Sequence, residues 1–275
     1  MQNLFNFSCL DVSLERKTKS AQVQINFNSS TDKPEIFISE LNQFLDWLSN
    51  KTEIASVLFE YSESTKLFSD DYLKNTNPKT FVELQHKIQE LNWIQLIMPQ
   101  TFIWHMDEIS DYHLWELAFG ADLRICHKEI NLKTNLLERG LQPFIAGPTL
   151  LNKMFNSSKI NSYLITGLDL DFNQLQDAGI VHLADCYGIK NSILFKISKQ
   201  SPTARMQFKR STNNELISAM SEMMNTDREF FNASMMTMDW KNHLEDKDFI
   251  SPKELGKILK ENKEKSARDS EEMIA

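Results

Sequence analysis

Glycine is nearly missing: seven residues in a chain of 275, and none before Gly120. That scarcity excludes the glycine-rich phosphate cradles, since neither a P-loop nor a GxGxxG occurs, and no GxSxG nucleophile elbow is present either. Cysteine is equally sparse. Cys9, Cys126 and Cys186 are far apart, odd in number and form no CxxC pair, which argues against a disulfide framework and predicts free thiols in a reducing compartment. No apolar run approaches the length needed to span a bilayer, and the opening MQNLFNFSCLDVSLERK lacks a basic stretch ahead of its apolar residues, so it does not read as a signal peptide. Basic charge is outnumbered, with 30 Lys and Arg against 38 Asp and Glu. A net charge of -8 without a basic stripe excludes a nucleic-acid surface, which needs clustered cations for phosphate. The expectation is a cytoplasmic protein with neither a nucleic-acid nor a membrane partner.

What is present is enough apolar residue, 41% of the chain, for a substantial core. Period-two or apolar runs predict strands over 21–27, 54–61, 101–107, 123–128 and 180–184. Between them, Ile36, Ile38, Leu41, Phe44, Leu45 and Leu48 repeat at helical spacing behind Pro34, and Phe81, Leu84, Ile88, Leu91 and Ile94 predict a second helix over 80–98. Alternating strands and helices imply an α/β fold. From Ser201 the chain reads as helices, with Pro202 and Pro252 each in a first turn after a serine cap. The division expected is a core over 1–200, a C-terminal helical region over 201–263 and a charged tail over 264–275. Met220, Met223, Met224, Met235, Met236 and Met238 read as adaptable packing or a subunit interface.

The most diagnostic stretch is LITGLDLDFNQLQDAGIVHLAD, Leu164 to Asp185: a helix end at Thr166-Gly167, a short turn, a helix closing on Ala178-Gly179, then Ile180-Val181. With ERGLQPFIAGPTLL (Gly140, Pro143, Ala146, Gly147), ELAFGADLRI from Glu116, SPTARMQFKR from Ser201 and LFEYSESTKLFSDDYL from Leu58, it resembles the enoyl-CoA hydratase/isomerase (crotonase) family. The pieces keep the family's order and spacing across roughly residues 20 to 250. The resemblance implies a crotonase-like ββα spiral core with C-terminal helices, a homotrimer or a hexamer of two trimers, and an acyl-CoA or acyl-carrier thioester as substrate, with no cofactor beyond it.

Family members hold the thioester oxyanion with two backbone N–H groups, preformed donors aided by a helix dipole, and move protons with one or two glutamates. Carried over, the first donor falls on Asp70 or Asp71, where two carboxylates would oppose an anion. The second falls on His113, because the family's glycines land on Tyr112, His113 and Leu114. Glu116 matches the first glutamate; without the resemblance it reads as a first-turn glutamate favoured by the helix dipole. The second glutamate position is Leu136, which transfers no proton, and Glu138 is turned by roughly 200° of helix from it.

Two readings follow. One is a thioester enzyme with Glu116 as its only acid/base, doing isomerase, decarboxylase or hydrolase-type chemistry rather than hydration. The other is a catalytically inactive crotonase-fold binding or assembly subunit. His105 and Asp107 would share a strand face as a ligand pair, but no zinc spacing is complete and no metal is expected. Cys126 and His127, adjacent on a strand, face opposite ways and make a poor nucleophile and base.

Overall fold

Alternation of Leu10, Val12 and Leu14 starts the chain as a strand, and in the computed structural model that strand opens a hairpin. The described residues are 5–61, 66–106, 111–143, 147–155 and 157–245, with Lys257 and Lys260 beyond them. β1 (Leu10–Glu15) pairs antiparallel with β2 (Ser20–Ile25). From β2 the sheet is parallel: β3 (Ser56–Tyr61), β4 (Thr101–His105), β5 (Leu123–Cys126) and, after the two-residue ribbon of β6 (Asn131–Leu132) and β7 (Leu170–Asp171), β8 (Leu183–Ala184). Spatial order follows chain order, β1-β2-β3-β4-β5-β8.

Helices bury both faces of the parallel part, as such sheets require. On one face, α1 (Pro34–Ser49), α2 (Asp70–Asn75), α3 (Pro78–Ile97) and α4 (Tyr112–Ala118) enclose the main core around Phe59, Phe102 and Trp104. On the other, α8 (Ile189–Ser198) covers Leu58, Ile103 and Ile125 with Leu194 and Ile197. Short helices α5 (Gly147–Met154), α6 (Ser157–Thr166) and α7 (Phe172–Asp177) form the approach to β8. The predicted helices agree with α1 and α3 to within about two residues, and the five predicted strands are all found. The last is cut to Leu183–Ala184, because Ile180 and Val181 instead donate their N–H groups to Leu175 at the end of α7.

Ser201 caps Ala204 as its sequence implies, and Pro202 begins α9 (Pro202–Thr237), one helix of 36 residues packed on α3 and α5. α10 (Asp239–Asn242) then returns Trp240 onto Phe81, ring centroids 5.3 Å apart. Pro252 and the charged ending lie outside the described residues. Among the described residues no helix is long and apolar enough to cross a membrane.

Candidate functional site

Glu116 lies in α4, a helix whose seven residues are all buried. Three side chains from α3 and β5 satisfy its C-terminal carbonyls, the groups that a helix end leaves without partners. Asn92 Nδ2 donates to the Glu116 carbonyl (2.8 Å), Gln95 Nε2 to that of Leu117 (2.9 Å), and Arg124 Nη1 to those of Ala118, Phe119 and Ala121. Gly120 closes the arrangement by donating to Asn92 Oδ1; a Cβ there would stand 2.4 Å from the Asn92 carbonyl oxygen. The stretch ELAFGADLRI is therefore a hydrogen-bonded clamp on the end of α4.

At the other end the chemistry departs from the sequence expectation. Glu116 is the fifth residue of α4, beyond the first turn, so a dipole-stabilised surface glutamate does not describe it. Its side chain is 0% exposed, and Oε2 lies 3.1 Å from His113 Nδ1, itself 1% exposed. Burial, and Arg139 after it, pull the His113 imidazole down to about 3. The neutral ring can donate to Glu116 from Nδ1 or accept there, as its tautomer sets. His113, considered in the sequence for its backbone N–H, thus brings its side chain to the glutamate. Its ring packs edge-on to Phe68, centroids 5.3 Å apart, joining α4 to the chain that leads into α2.

The N-cap residue Asp111 draws the Leu114 N–H of its own helix only weakly, short of a capping hydrogen bond. Its Oδ2 instead accepts the N–H of Leu67, 2.9 Å away, in the segment between β3 and α2. An internal carboxylate therefore bridges the two elements on which the resemblance places the oxyanion donors. Burial raises the Asp111 carboxyl to about 6, against the opposing pull of the Leu67 N–H, Arg139, the Leu114 N–H and Lys66. Nearby, Tyr61 and Tyr112 each bury a hydroxyl that has no hydrogen-bond partner; Asp111 raises the one and Glu116 the other, after burial itself.

Asp70 and Asp71 occupy the first turn of α2, with Ser69 as the cap that accepts the Tyr72 N–H. The opposing charge expected there is partly cancelled: Arg139 Nη2 lies 3.0 Å from Asp70 Oδ1 and Lys66 Nζ 3.7 Å from the same oxygen. Leu136 is 2% exposed and packed in the main core. Glu138 does not replace it, since its carboxylate lies over Gly167 at the end of α6. Gly140 holds φ at +66°, and a Cβ there would meet the Asp239 and Trp240 backbone at 2.6 Å, so the ERG stretch serves the docking of α10. Ala146 lies outside the described residues.

His105 Nε2 is 3.1 Å from Asp185 Oδ2 and its Nδ1 3.5 Å from Glu60 Oε1, which also receives Lys190 at 2.7 Å. His105, after the offsetting cost of burial, and Lys190 hold the Glu60 carboxyl at about 2. Asp107 lies outside the described residues, and among those described no group of three His, Cys, Asp or Glu suits a metal ion. Cys126, the last residue of β5, is buried, and His127, just beyond the strand, is exposed.

No family model matches the sequence, and no curated protein matches it. Solved structures do. An enoyl-CoA hydratase from Bacillus halodurans superposes with a TM-score of 0.75 over 87% of this chain and 100% of its own, at 12% identity. The fold is the crotonase fold. An enoyl-CoA hydratase/isomerase from Pseudoalteromonas atlantica T6c superposes at 0.71 over 89% of this chain and 100% of its own, at 16% identity. A methylmalonyl-CoA decarboxylase in complex with 2-nitronate-propionyl-CoA does so at 0.69 over 89% and 98%, at 15%. The crotonase fold thus extends over nearly all of each neighbour.

Proposed function

We propose that this chain is a crotonase-fold protein without hydratase chemistry, acting as a binding or assembly subunit. The observation that carries the reading is the Asp111 carboxylate on the Leu67 N–H. An oxyanion site works by presenting preorganised donors to developing negative charge, and here a resident carboxylate already lies between the segment before α2 and the start of α4, beside the expected donors of Asp70 or Asp71 and His113 rather than on them. The second position needed for two-carboxylate hydration is an apolar residue in the core, Leu136. Assembly is favoured by α9, where Phe208 and Phe230 are 71% and 65% exposed. A trimer, or a hexamer of two trimers, is the state proposed.

One observation favours a second reading. The buried His113–Glu116 couple has the geometry of a base held by its orienter. In that reading an acyl-CoA or acyl-carrier thioester is held by the N–H groups of His113 and of Asp70 or Asp71. Glu116 is then the single carboxylate of an isomerase, decarboxylase or hydrolase-type reaction.

Incubating the chain with saturated and unsaturated acyl-CoAs in D2O, and reading deuterium at C2 by mass spectrometry, separates the two. No exchange and no turnover are expected, with an oligomer in light scattering. Exchange that disappears in Glu116→Gln, while the acyl-CoA still raises the melting temperature, would establish the enzyme instead. A monomer at all concentrations, binding no acyl-CoA, would remove the assembly reading.

A further inference from the structure

At the end of the sheet where β2 and β3 begin, far from Glu116, lies a cavity of about 300 Å³. Its walls come from three places: the β1–β2 hairpin, the turn before β3, and the junction of α8 with α9. Leu14, Ile54, Ala55 and Pro202 make it mainly apolar. Into this apolar space the fold brings the guanidinium of Arg205, whose Nε and Nη1 are buried with no hydrogen-bond partner.

Guanidinium N–H groups buried without an acceptor are unfavourable, and the neighbouring carboxylates do not relieve them. Asp122, which attracts Arg205, has its Oδ2 committed to Lys209 Nζ (2.7 Å) and to the Phe102 N–H (2.8 Å). Glu15 accepts the Lys17 N–H through Oε1, and Glu53 is exposed. Arg16 and Lys19 line the same cavity, so its cations outnumber these two acids. The start of the 36-residue α9 adds the positive end of a long helix. An apolar-lined cavity and two unpartnered guanidinium N–H groups therefore converge on one ligand chemistry, with Arg205 supplying the one-charge excess of cations.

We propose that this cavity binds a small amphiphilic anion, with a carboxylate or phosphate head on Arg205 and a short apolar stem against Leu14, Ile54 and Ala55. The site is independent of the function proposed above, because it shares no residue with the α4 region.

Calorimetric titration of the full chain with hexanoate, hexyl phosphate, inorganic phosphate and hexanol tests it. Hexanoate or hexyl phosphate should bind with one-to-one stoichiometry, the tighter of the two naming the head group, and hexanol should bind at least tenfold more weakly. Arg205→Met should lower the affinity at least tenfold. It should not lower the melting temperature of the unliganded chain, since the buried Nε and Nη1 groups it removes have no hydrogen-bond partner to lose. Arg205→Lys, which keeps the charge, should retain part of the affinity. The proposal is overturned if neither amphiphilic anion binds, if hexanol binds as tightly, if Arg205→Met binds unchanged, or if Arg205→Met is destabilised, which would make Arg205 a structural residue.

Discussion

Replacing Asp111 by Asn changes one oxygen to nitrogen and removes one charge, and the environment of Asp111 states what should follow. The carboxyl titrates near 3.8 in an open chain and about 6 in the fold, chiefly because it is buried. A raised acid favours its protonated form in the folded state. The stability it confers is therefore full below about pH 4 and declines as pH rises through 6. At about 1.4 kcal/mol per tenfold change, the shift corresponds to about 3 kcal/mol lost between those limits. Asn does not titrate, keeps an amide oxygen to accept the Leu67 N–H, and suits an N-cap position. It gives up only the charge attraction of Arg139, which already holds Asp70, and of Lys66.

Urea titrations of both proteins at pH 4.5, 6 and 8 measure the difference with every other titrating group held in common. The stability of Asp111→Asn relative to the parent should climb by about 2 to 3 kcal/mol from the lowest pH to the highest. A difference independent of pH would show that burial does not dominate at Asp111. A difference that falls with pH would show that the charge on Arg139 and Lys66 outweighs it, and the picture of a costly resident anion would fail.

Further predictions concern the same region. Gly140→Ala should destabilise by about 2 kcal/mol or more in thermal melts, from the left-handed backbone and from the 2.6 Å approach to Asp239 and Trp240. Leu136→Glu, which supplies the missing carboxylate, should produce no hydratase activity with any enoyl-CoA and destabilise by several kcal/mol in urea, because it buries an unpaired charge. Asn92→Ala should cost about 2 kcal/mol or more by leaving the Glu116 carbonyl without its donor and the Gly120 N–H without its acceptor. Replacing Phe208 and Phe230 together by Ser should shift light-scattering mass towards the monomer without unfolding the chain.

Much of the fold was legible because its signals are local. The apolar stripe behind Pro34 and the capped Pro202 correspond to α1 and α9, and the ordered motifs from Leu58 to Ser201 point to the crotonase fold. β1 was missed although Leu10, Val12 and Leu14 alternate, a signal as good as that of β2. The buried face of α3 hid more thoroughly. Gln85, Gln89, Asn92 and Gln95 are all buried, and polar residues in a helix read as surface until a partner with free carbonyls is known. The site residues came from the motif, so Glu116, His113, Asp70 and Asp71 were named in advance. Asp111 could not be: its bond reaches Leu67 across 44 residues, and no periodicity reports such a pairing. The role of the His113 side chain had a better chance, since His and Glu three apart in a helix face the same way.

These residues divide the stretch from Asp111 to Ile125 into two parts with different physical reasons to exist. From Glu116 onward, each group that matches the crotonase pattern is also required by geometry: Gly120 by the Asn92 backbone, and Arg124 by three carbonyls of α4 and the turn after it, together with that of Ile180. Such residues would resemble the family whether or not any thioester is ever bound, so they bear on fold alone. Ahead of Glu116, Tyr112, His113 and Leu114 stand where the family pattern has glycines, and beside them Asp111 is tied to Leu67. Two phenol oxygens lie buried without partners, and above about pH 6 the Asp111 carboxyl is ionised in a buried position that favours its neutral form. Polar groups kept in that condition lower stability, so the function of this protein is to be sought at the N-terminal end of α4, and Asp111 rather than Glu116 is the residue to change first.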